Sequence, residues 1–417
     1  MPPTSRYAGC SPFQGSPPWQ DDGVIEPGTS SGPDASADAR PGADGATWGE
    51  RAAYAASSVA TLFGRRMLSI PGTFLPTVQA PGPRRWRGPW HYWWLAHFLD
   101  CLVDQALREH AAGQLTAAHR TAQTAHRLLR TIRLRNVAIF TNHYYDDMAW
   151  LLLAAHRLDR LTATLSPTAS LALTHSAGRA LRAAVTRGHT DDLGGGLYWN
   201  DHHDFKNVAA TGPAALFFAR IGDRARARAL LGWLHDHLRD PASGLFVDGL
   251  RIDHDGSTTL VPDVFTYNQG TVLGALVTLG DPDSLTRAET LIDAIARQLT
   301  TDPGHRILRT HGDGDGGLFT GILVRYLALA ARTPDLSPTA RAHAQALVEG
   351  TADAFWSGRQ VRSFPRRFGM PSAPITVFSP DLAVPAELSQ PDGIPVELST
   401  QLQAWMTLEA AASLPPG

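Results

Sequence analysis

The chain has 417 residues, a formal net charge of −2 and an apolar fraction of 43%, so it is long enough to bury a large core. Its two cysteines exclude a disulfide framework and a cysteine-rich zinc site. The nearly balanced charge argues against a protein that grips a nucleic-acid backbone, and the absence of a long apolar run predicts no membrane-spanning segment.

The N-terminal stretch is unlike the rest of the chain. Residues 1–46 are rich in Pro, Gly, Ser, Asp and Ala and lack periodicity, which predicts a disordered arm ahead of a single catalytic domain over 47–417. The arm has no apolar region of the kind that a signal peptide needs. The expected location is therefore the cytoplasm, with secretion as the alternative if the true start lies elsewhere or export is unconventional.

From residue 47 onward apolar residues recur with the period of a helix. The pattern predicts twelve helices, over 48–66, 90–111, 115–134, 142–159, 168–187, 204–222, 224–239, 264–280, 282–300, 316–332, 337–357 and 396–413. We take the twelve helices as six consecutive pairs. In each pair the second helix is apolar on most faces and the first is amphipathic, which indicates that the second is an inner helix and the first an outer helix. The prediction is an all-α fold, an (α/α)6 barrel of six helical hairpins.

Aromatic and polar side chains are concentrated where the predicted inner helices begin. The six clusters are residues 90–94, 142–147, 202–207, 265–270, 312–317 and 397–401. Parallel inner helices bring these clusters to one mouth of the barrel. Aromatic rings stack on the C–H faces of sugars, and amides and carboxylates bind sugar hydroxyls, so the mouth is predicted to be a carbohydrate-binding cleft.

The most informative cluster contains two consecutive aspartates, Asp146 and Asp147, at the start of an apolar helix. Repulsion between two carboxylates raises the pKa of one, so that one is protonated while the other is ionised. Such a pair supplies an acid together with a nucleophile or base. The alternative is a pair that only caps the helix. A second pair, Asp191 and Asp192, lies in a glycine-rich loop and is interpreted as a turn.

The single lysine of the chain is Lys206, since all other basic side chains are arginines. Its retention in an arginine-rich chain favours a role for which arginine is unsuitable. We expect it to neutralise the carboxylate pair or to bind a sugar hydroxyl, and the alternative is an ordinary surface charge. The segment 267–270 is interpreted as a helix start, with Asn268 near the cap, that also contacts substrate.

Neither a metal nor a cofactor is predicted. Residues 312–317 fit the spacing G-x-G-x-x-G, but no βαβ unit surrounds them, and the same segment matches only half of a calcium loop. The histidines show no His-Glu-x-x-His spacing.

Over residues 48–413 the clusters together resemble glycoside hydrolase family 76, the endo-α-1,6-mannanases. The matching motifs, in the order of the family, lie at 145–150, 194–200, 206–214, 266–270 and 314–326. The arginine-rich composition is typical of a GC-rich genome, such as that of an actinobacterium.

The resemblance implies an (α/α)6 barrel that cleaves α-1,6-mannosidic bonds with retention of configuration and without a cofactor. Asp146 would then be the nucleophile and Asp147 the general acid/base. The substrate-binding residues expected at the mouth are Trp93, Trp94, Asn142, Tyr145, Trp199, Asn200, Lys206, Asn207, Tyr267, Asn268, Gln269 and Asp315. The expected partner is an α-mannan, either a lipomannan core or a fungal mannan, bound by a monomer.

Three alternatives remain open at the level of sequence. The same double displacement supports transglycosylation of α-mannan instead of hydrolysis. A catalytically weak glycan-binding protein would keep the aromatic mouth without turnover. A different (α/α)6 enzyme, such as a sugar epimerase or an unsaturated-uronide hydrolase, would act on polymers without mannose.

Overall fold

The computed structural model describes residues 45–82, 90–253, 255–301, 304, 306–364 and 373–415. Of the predicted N-terminal arm, residues 1–44 lie outside the described residues. The helices are α1 (Trp48–Phe63), α2 (Tyr92–Ala111), α3 (Leu115–Arg135), α4 (Tyr145–Leu165), α5 (Ala172–Gly188), α6 (Val208–Arg220), α7 (Arg224–Leu238), α8 (Thr266–Leu279), α9 (Pro282–Gln298), α10 (Phe319–Ala331), α11 (Pro338–Ser357), α12 (Ala386–Ser389) and α13 (Leu398–Ala412). All of them except the single turn α12 correspond to predicted helices.

Six helices form a closed inner ring. Helices α2, α4, α6, α8, α10 and α13 each contact the next, and α13 contacts α2 again. Helices α1, α3, α5, α7, α9 and α11 lie outside this ring. The predicted (α/α)6 barrel is therefore confirmed.

The pairing of helices differs from the sequence-based expectation by one position. Each inner helix from α2 to α10 packs against the outer helix that follows it, as α2 does with α3. Helix α1, from the start of the described chain, covers the last inner helix, α13. The barrel is therefore closed by contact between the first and the last long helices of the described chain. The local pattern of apolar residues does not reveal such a contact.

Burial explains why the two sets of helices have different sequences. Inner helix α8 is buried at every residue except Thr278, so it has no polar face. Outer helix α9 buries residues three and four apart, such as Ala288, Leu291 and Ile295, and exposes others on its opposite face, such as Asp283, Thr286 and Thr290. Glycine allows close helix contact, because a Cβ on Gly274 of α8 would lie 2.6 Å from the Tyr326 ring of α10.

The short strands lie in the loops that lead into the inner helices. They are β1 (Gln79–Ala80), β2 (Phe205–Asn207), β3 (Gly249–Ile252), β4 (Thr258–Val261), β5 (Gln360–Phe364), β6 (Ala373–Val377) and β7 (Val396–Glu397). All pairings are antiparallel, in the orders β1-β7, β2-β3-β4 and β5-β6. The proline-rich stretch 358–395 contains the antiparallel pair β5-β6 and the turn α12.

The starts of the inner helices meet at one end of the barrel. The Trp94 indole at the start of α2 donates to Asp315, just before α10, at 2.9 Å. The Gly314 amide donates to the Glu397 carboxylate, just before α13, at 2.7 Å. The predicted mouth is therefore present. Within the part of the chain that the structure describes, no helix is both long and apolar enough to cross a membrane.

Candidate active site

Asp147 lies in the first turn of α4 and is buried, with 4% of its surface exposed. Its Oδ2 accepts a hydrogen bond from Asn142 Nδ2 at 2.7 Å, and its Oδ1 has no partner among the described residues. Burial raises the pKa of the Asp147 carboxyl well above its usual range, and the nearby Asp146 and Asp315 raise it further against the hydrogen bond from Asn142. The geometry therefore favours a protonated Asp147.

The neighbouring Asp146 has a different environment. It is half-buried, and its Oδ2 accepts a hydrogen bond from the Trp199 indole at 3.0 Å. Its Oδ1 accepts the backbone amide of Asp147 at 2.9 Å, one of the first-turn amides of α4. Hydrogen bonds donated to a carboxylate and the positive end of a helix dipole both favour the ionised form. Two consecutive carboxyls are thus held in unlike surroundings.

The capping interpretation of the Asp pair does not describe the structure. The N-cap of α4 is Tyr144, which makes no side-chain capping bond. The Asn142 side chain instead organises the turn, because its Oδ1 accepts the Tyr144 amide at 3.0 Å while its amide group holds Asp147. Both carboxyls are left available to the mouth.

Trp199 is fixed by its backbone as well as by its indole. Its amide donates to the Phe205 carbonyl at 2.7 Å, and its own carbonyl accepts the Tyr145 amide at 2.8 Å. The Tyr145 ring packs on Gly188, where a Cβ would come within 2.7 Å of the ring.

Asn200, which follows Trp199 in the chain, fixes the same segment. Its backbone pairs with that of Tyr144, and its Oδ1 accepts the His202 amide at 3.0 Å. This segment therefore positions one oxygen of Asp146.

A third carboxylate completes the mouth. Asp315 lies in a 3-10 turn, Gly314–Leu318, and its Oδ1 accepts both the Trp93 indole at 3.1 Å and the Trp94 indole at 2.9 Å. Glu397, which belongs to a cluster predicted from sequence but was not among the predicted site residues, holds this turn through the Gly314 amide. The signal in the sequence that could have identified Glu397 is its position at the start of a predicted inner helix.

The aromatic residues predicted to bind sugar pack against other rings of the barrel and its loops. Tyr267 is 6% exposed, and its ring centroid lies 4.2 Å from that of Phe319 and 6.4 Å from that of Trp150. Trp94 stacks on His91 with 4.1 Å between ring centroids, a neighbour that sequence reasoning missed. These contacts give the mouth an aromatic floor.

Lys206 does not have the role expected of it. Its side chain is fully buried, and its ammonium donates to the carbonyls of Asp192 at 2.5 Å and Gly195 at 2.6 Å and to the Thr190 hydroxyl at 3.0 Å. It also lies 4.6 Å from the centre of the Tyr198 ring. Burial lowers the pKa of Lys206 to about 8. The predicted neutralisation of the Asp pair is wrong, because the ammonium instead organises the loop 190–196.

Three further predicted site residues, Asn207, Asn268 and Gln269, are fully buried. Asn207 is the N-cap of α6 and accepts the Ala210 amide at 3.0 Å. Gln269 accepts the Phe246 amide at 2.9 Å and donates to the Phe246 carbonyl at 2.8 Å. Asn268 lies within the first turn of α8, fully buried and without a capping bond. The Gln269 amide thus holds the backbone of Phe246 with both of its polar atoms, whereas Asn207 Nδ2 is buried without a partner among the described residues. Substrate binding by Asn207 and Gln269 stays a prediction from the sequence.

The second aspartate pair forms the turn that was expected. Asp192 begins a 3-10 turn, Asp192–Gly194, and its Oδ2 accepts the Thr190 hydroxyl at 2.7 Å and the Tyr198 hydroxyl at 3.0 Å. These bonds hold the pKa of Asp192 below its usual range. This carboxylate thus belongs to the loop that Lys206 organises.

Comparison with known proteins agrees with this geometry. Residues 48–373 match the model of glycosyl hydrolase family 76. The structure is similar to that of the GH76A alpha-1,6-mannanase from Salegentibacter sp. HEL1_6, with 30% identity, a TM-score of 0.70, and coverage of 88% of this chain and 99% of that one. No curated protein matches the chain.

Two other solved structures extend the comparison. An inactive variant of the Salegentibacter enzyme, in which two consecutive aspartates are replaced by asparagine, was solved in complex with alpha-1,6-mannotriose and matches at 30% identity, TM-score 0.69 and the same coverage. A family 76 glycoside hydrolase from a bovine Bacteroides thetaiotaomicron strain shares the fold at 14% identity, TM-score 0.67, and coverage of 88% of this chain and 78% of that one. Together with the family match over most of its length, these similarities show that the chain belongs to glycosyl hydrolase family 76.

Proposed function

We propose that the protein is an endo-acting, retaining hydrolase of α-1,6-linked mannan. The observation that carries the proposal is the unlike environment of two consecutive carboxyls, with Asp147 buried beside Asn142 and Asp146 held by the Trp199 indole. Support for the substrate comes from the similarity to an alpha-1,6-mannanase whose doubly substituted variant, at two consecutive aspartates, is inactive.

The proposed reaction is a double displacement. The ionised Asp146 attacks the anomeric carbon while the protonated Asp147 gives its proton to the departing glycosidic oxygen. A covalent glycosyl ester on Asp146 results. Ionised Asp147 then takes a proton from water, which attacks the same carbon and releases the sugar with its original configuration. No further group is needed to balance the two steps.

Asp315 supports this reaction electrostatically. The Trp93 and Trp94 indoles fix its carboxylate at the mouth, where it raises the pKa of Asp147. A fixed negative charge also stabilises the positive charge that develops on the sugar ring in the transition state. Its role is to keep the acid protonated and to favour the oxocarbenium-like transition state.

The raised pKa of Asp147 sets the expected pH dependence. The acid is active only while protonated, so kcat/KM should fall as the pH rises through that pKa. Replacing Asp315 by Asn removes a negative neighbour and should move this alkaline limb to lower pH. If the alkaline limb of the pH profile is the same in Asp315→Asn as in the wild type, Asp315 does not help to keep Asp147 protonated.

The direct test is product analysis on linear α-1,6-mannan and on α-1,6-mannohexaose. Mass spectrometry should show short oligosaccharides, and NMR should show them first as the α-anomer. First appearance of the β-anomer would contradict retention, and release of mannose alone would contradict endo action. An added acceptor sugar that captures most of the product identifies the enzyme as a transglycosylase, and binding without turnover identifies it as a glycan-binding protein. Either result overturns the proposed hydrolysis.

A further inference from the structure

Five large apolar side chains stand exposed in two short segments, residues 64–75 and 127–142. They are Leu68 at 52%, Ile70 at 45%, Leu134 at 47%, Val137 at 87% and Ile139 at 54% exposure. The six other exposed residues of this kind in the described chain lie at least six positions apart from one another, at Leu107, Leu115, Leu260, Val361, Leu388 and Ile394. We call these five residues the rim patch. Concentrated exposure of this kind marks an interaction surface.

The two segments form one surface. The Phe74 amide, in the loop after α1, donates to the Thr131 hydroxyl of α3 at 3.0 Å. A Cβ on Gly72 would lie 3.9 Å from the guanidinium of Arg130. The loop after α1 therefore lies against the last turns of α3, from which Leu134 and the loop 136–142 continue.

The rim patch lies at the mouth of the barrel. The loop 136–142 ends at Asn142, whose amide holds the catalytic carboxyl Asp147. Its Phe140 carbonyl accepts a hydrogen bond from the Tyr92 hydroxyl at the start of α2. The patch and the cleft thus share one end of the molecule.

The backbone beneath the exposed tips is strained. Leu68 and Ser69 have φ angles of 50° and 58°, and Val137 and Ala138 have φ angles of 55° and 63°. Non-glycine residues rarely adopt these angles, and retained strain is concentrated at functional positions. Both loops therefore use unfavourable backbone to display an apolar residue that nothing within the described chain buries.

The charged residues of the two segments that form the patch have one sign. Segments 64–75 and 127–142 contain six arginines and no Asp or Glu, in a chain with a net charge of −2. Arg66, Arg130 and Arg133 are exposed. Exposed apolar side chains that lie among guanidinium groups are complementary to an anionic lipid surface. The apolar side chains enter the boundary between headgroups and acyl chains, and the guanidiniums bind the lipid phosphates.

We propose that the rim patch docks the protein on an anionic lipid surface with the mouth of the cleft facing that surface. The docking itself does not depend on the enzymatic activity. A second consequence rests on the proposed function: a mannan anchored in the same lipid layer is the preferred substrate, because docking brings its chain to the cleft.

The test is flotation of the purified full chain with vesicles of phosphatidylcholine alone or mixed in equal parts with phosphatidylglycerol. The wild type should float with the mixed vesicles only. Val137→Ser combined with Ile139→Ser should reduce the bound fraction roughly tenfold. Arg66→Gln combined with Arg130→Gln should reduce it roughly fivefold for each charge removed.

A matched control is available outside the patch, on helices α3 and α12. Leu115, at the first residue of α3, is 53% exposed, and Leu388 is 72% exposed. The variant Leu115→Ser with Leu388→Ser removes as much exposed apolar surface outside the patch and should bind like the wild type. Absence of wild-type binding, equal binding to neutral vesicles, or equal loss in the control would each overturn the proposal. Melting temperatures establish that every variant is folded.

Activity assays separate this inference from the proposed function. On soluble α-1,6-mannan the patch variants should turn over like the wild type, whereas on mannan anchored in the mixed vesicles they should be slower by the same factor as their binding. Turnover of neither substrate by the wild type contradicts the proposed function while vesicle binding still decides the docking. Equal rates on anchored mannan contradict the second consequence.

Discussion

Two levels of the same barrel hold aspartates in opposite electrostatic settings. Deeper along α2, about 12 Å and about 18 Å from its start, Asp100 and Asp104 face Arg157 and Arg325. Each guanidinium bridges both carboxylates, with Arg157 2.5 Å from each and Arg325 2.7 and 2.5 Å away. At the mouth, neither Asp147 nor Asp315 has an ion-pair partner among the described residues.

The pKa values follow this difference and not the depth of burial. Burial alone would raise the pKa of Asp100, but Arg157 and Arg325 hold it below its usual range. Asp147 is buried to a similar degree, and there burial and the neighbouring Asp146 raise the pKa together. Cations therefore convert a buried carboxyl into part of the scaffold, and their absence leaves an acid that is able to give up a proton.

The largest expected effect is on turnover when Asp146 is replaced. Asp146→Asn removes the attacking carboxylate, so kcat on every α-mannoside should fall by roughly 10⁴-fold or more, while the melting temperature stays near that of the wild type. The matched change Asp104→Asn deeper in the barrel should do the reverse and lower stability with little effect on kcat. Near-normal turnover by Asp146→Asn would exclude it as nucleophile.

The next largest effect is on stability. Arg325→Met leaves the buried Asp100 and the half-buried Asp104 with one guanidinium and should lower the free energy of unfolding by about 3–5 kcal/mol. Chemical denaturation measures the loss. Adding Asp104→Asn to the same chain should restore part of it, since one charge of each sign is then absent. A loss below about 1 kcal/mol would show that the network contributes little.

Asp147→Asn should separate acid catalysis from binding. Turnover of glycosides with poor leaving groups should fall about 10²–10⁴-fold, and that of an α-1,6-mannobiosyl fluoride should fall far less, because fluoride leaves without a proton. Equal loss on both substrates would contradict the acid role.

The same substitution should raise the melting temperature at neutral pH. A carboxyl whose pKa is raised in the folded state binds its proton more tightly there, so its contribution to stability is full below the unfolded pKa and is lost as the pH rises towards the folded pKa. An asparagine at position 147 does not ionise, so it loses no stability as the pH rises. The advantage of Asp147→Asn over the wild type should therefore be present at pH 7 and should narrow towards pH 4. A constant difference across this range would contradict burial of the ionisable group.

The smallest effect is expected at Lys206. A planar guanidinium does not fit the closed space in which one ammonium contacts five oxygens of the loop 190–196, so Lys206→Arg should displace the loop before Trp199. We expect kcat to fall about tenfold, KM to change less, and the melting temperature to fall. Tyr198→Phe, which keeps the ring beside the ammonium, serves as the control. Unchanged kcat in Lys206→Arg would remove Lys206 from the positioning of Trp199.

The helical period predicted the barrel because inner and outer helices differ along their own sequence, as α8 and α9 show. It also predicted where the mouth lies, since each cluster marks a helix start. It did not predict which polar side chains face the mouth. Whether a residue such as Gln269 meets substrate or a neighbouring loop is decided by loops distant in sequence.

The sequence contains a weak signal that Gln269 binds a neighbouring loop of the protein itself. Gln269 and Gln401 each hold both backbone polar atoms of a phenylalanine 23 residues earlier, Phe246 and Phe378. The repeated spacing marks the same structural unit in two hairpins. The disordered arm, the monomeric state and the cytoplasmic location stay predictions from the sequence.

The division of labour between Asp146 and Asp147 is the central claim, and covalent trapping tests it most directly. An α-1,6-mannobiosyl fluoride that carries a second fluorine on the reacting ring forms the glycosyl ester but slows its hydrolysis. Digestion and mass spectrometry of the trapped protein should place the label on Asp146. A label on Asp147, or continued turnover with no labelled carboxylate, would contradict the assignment.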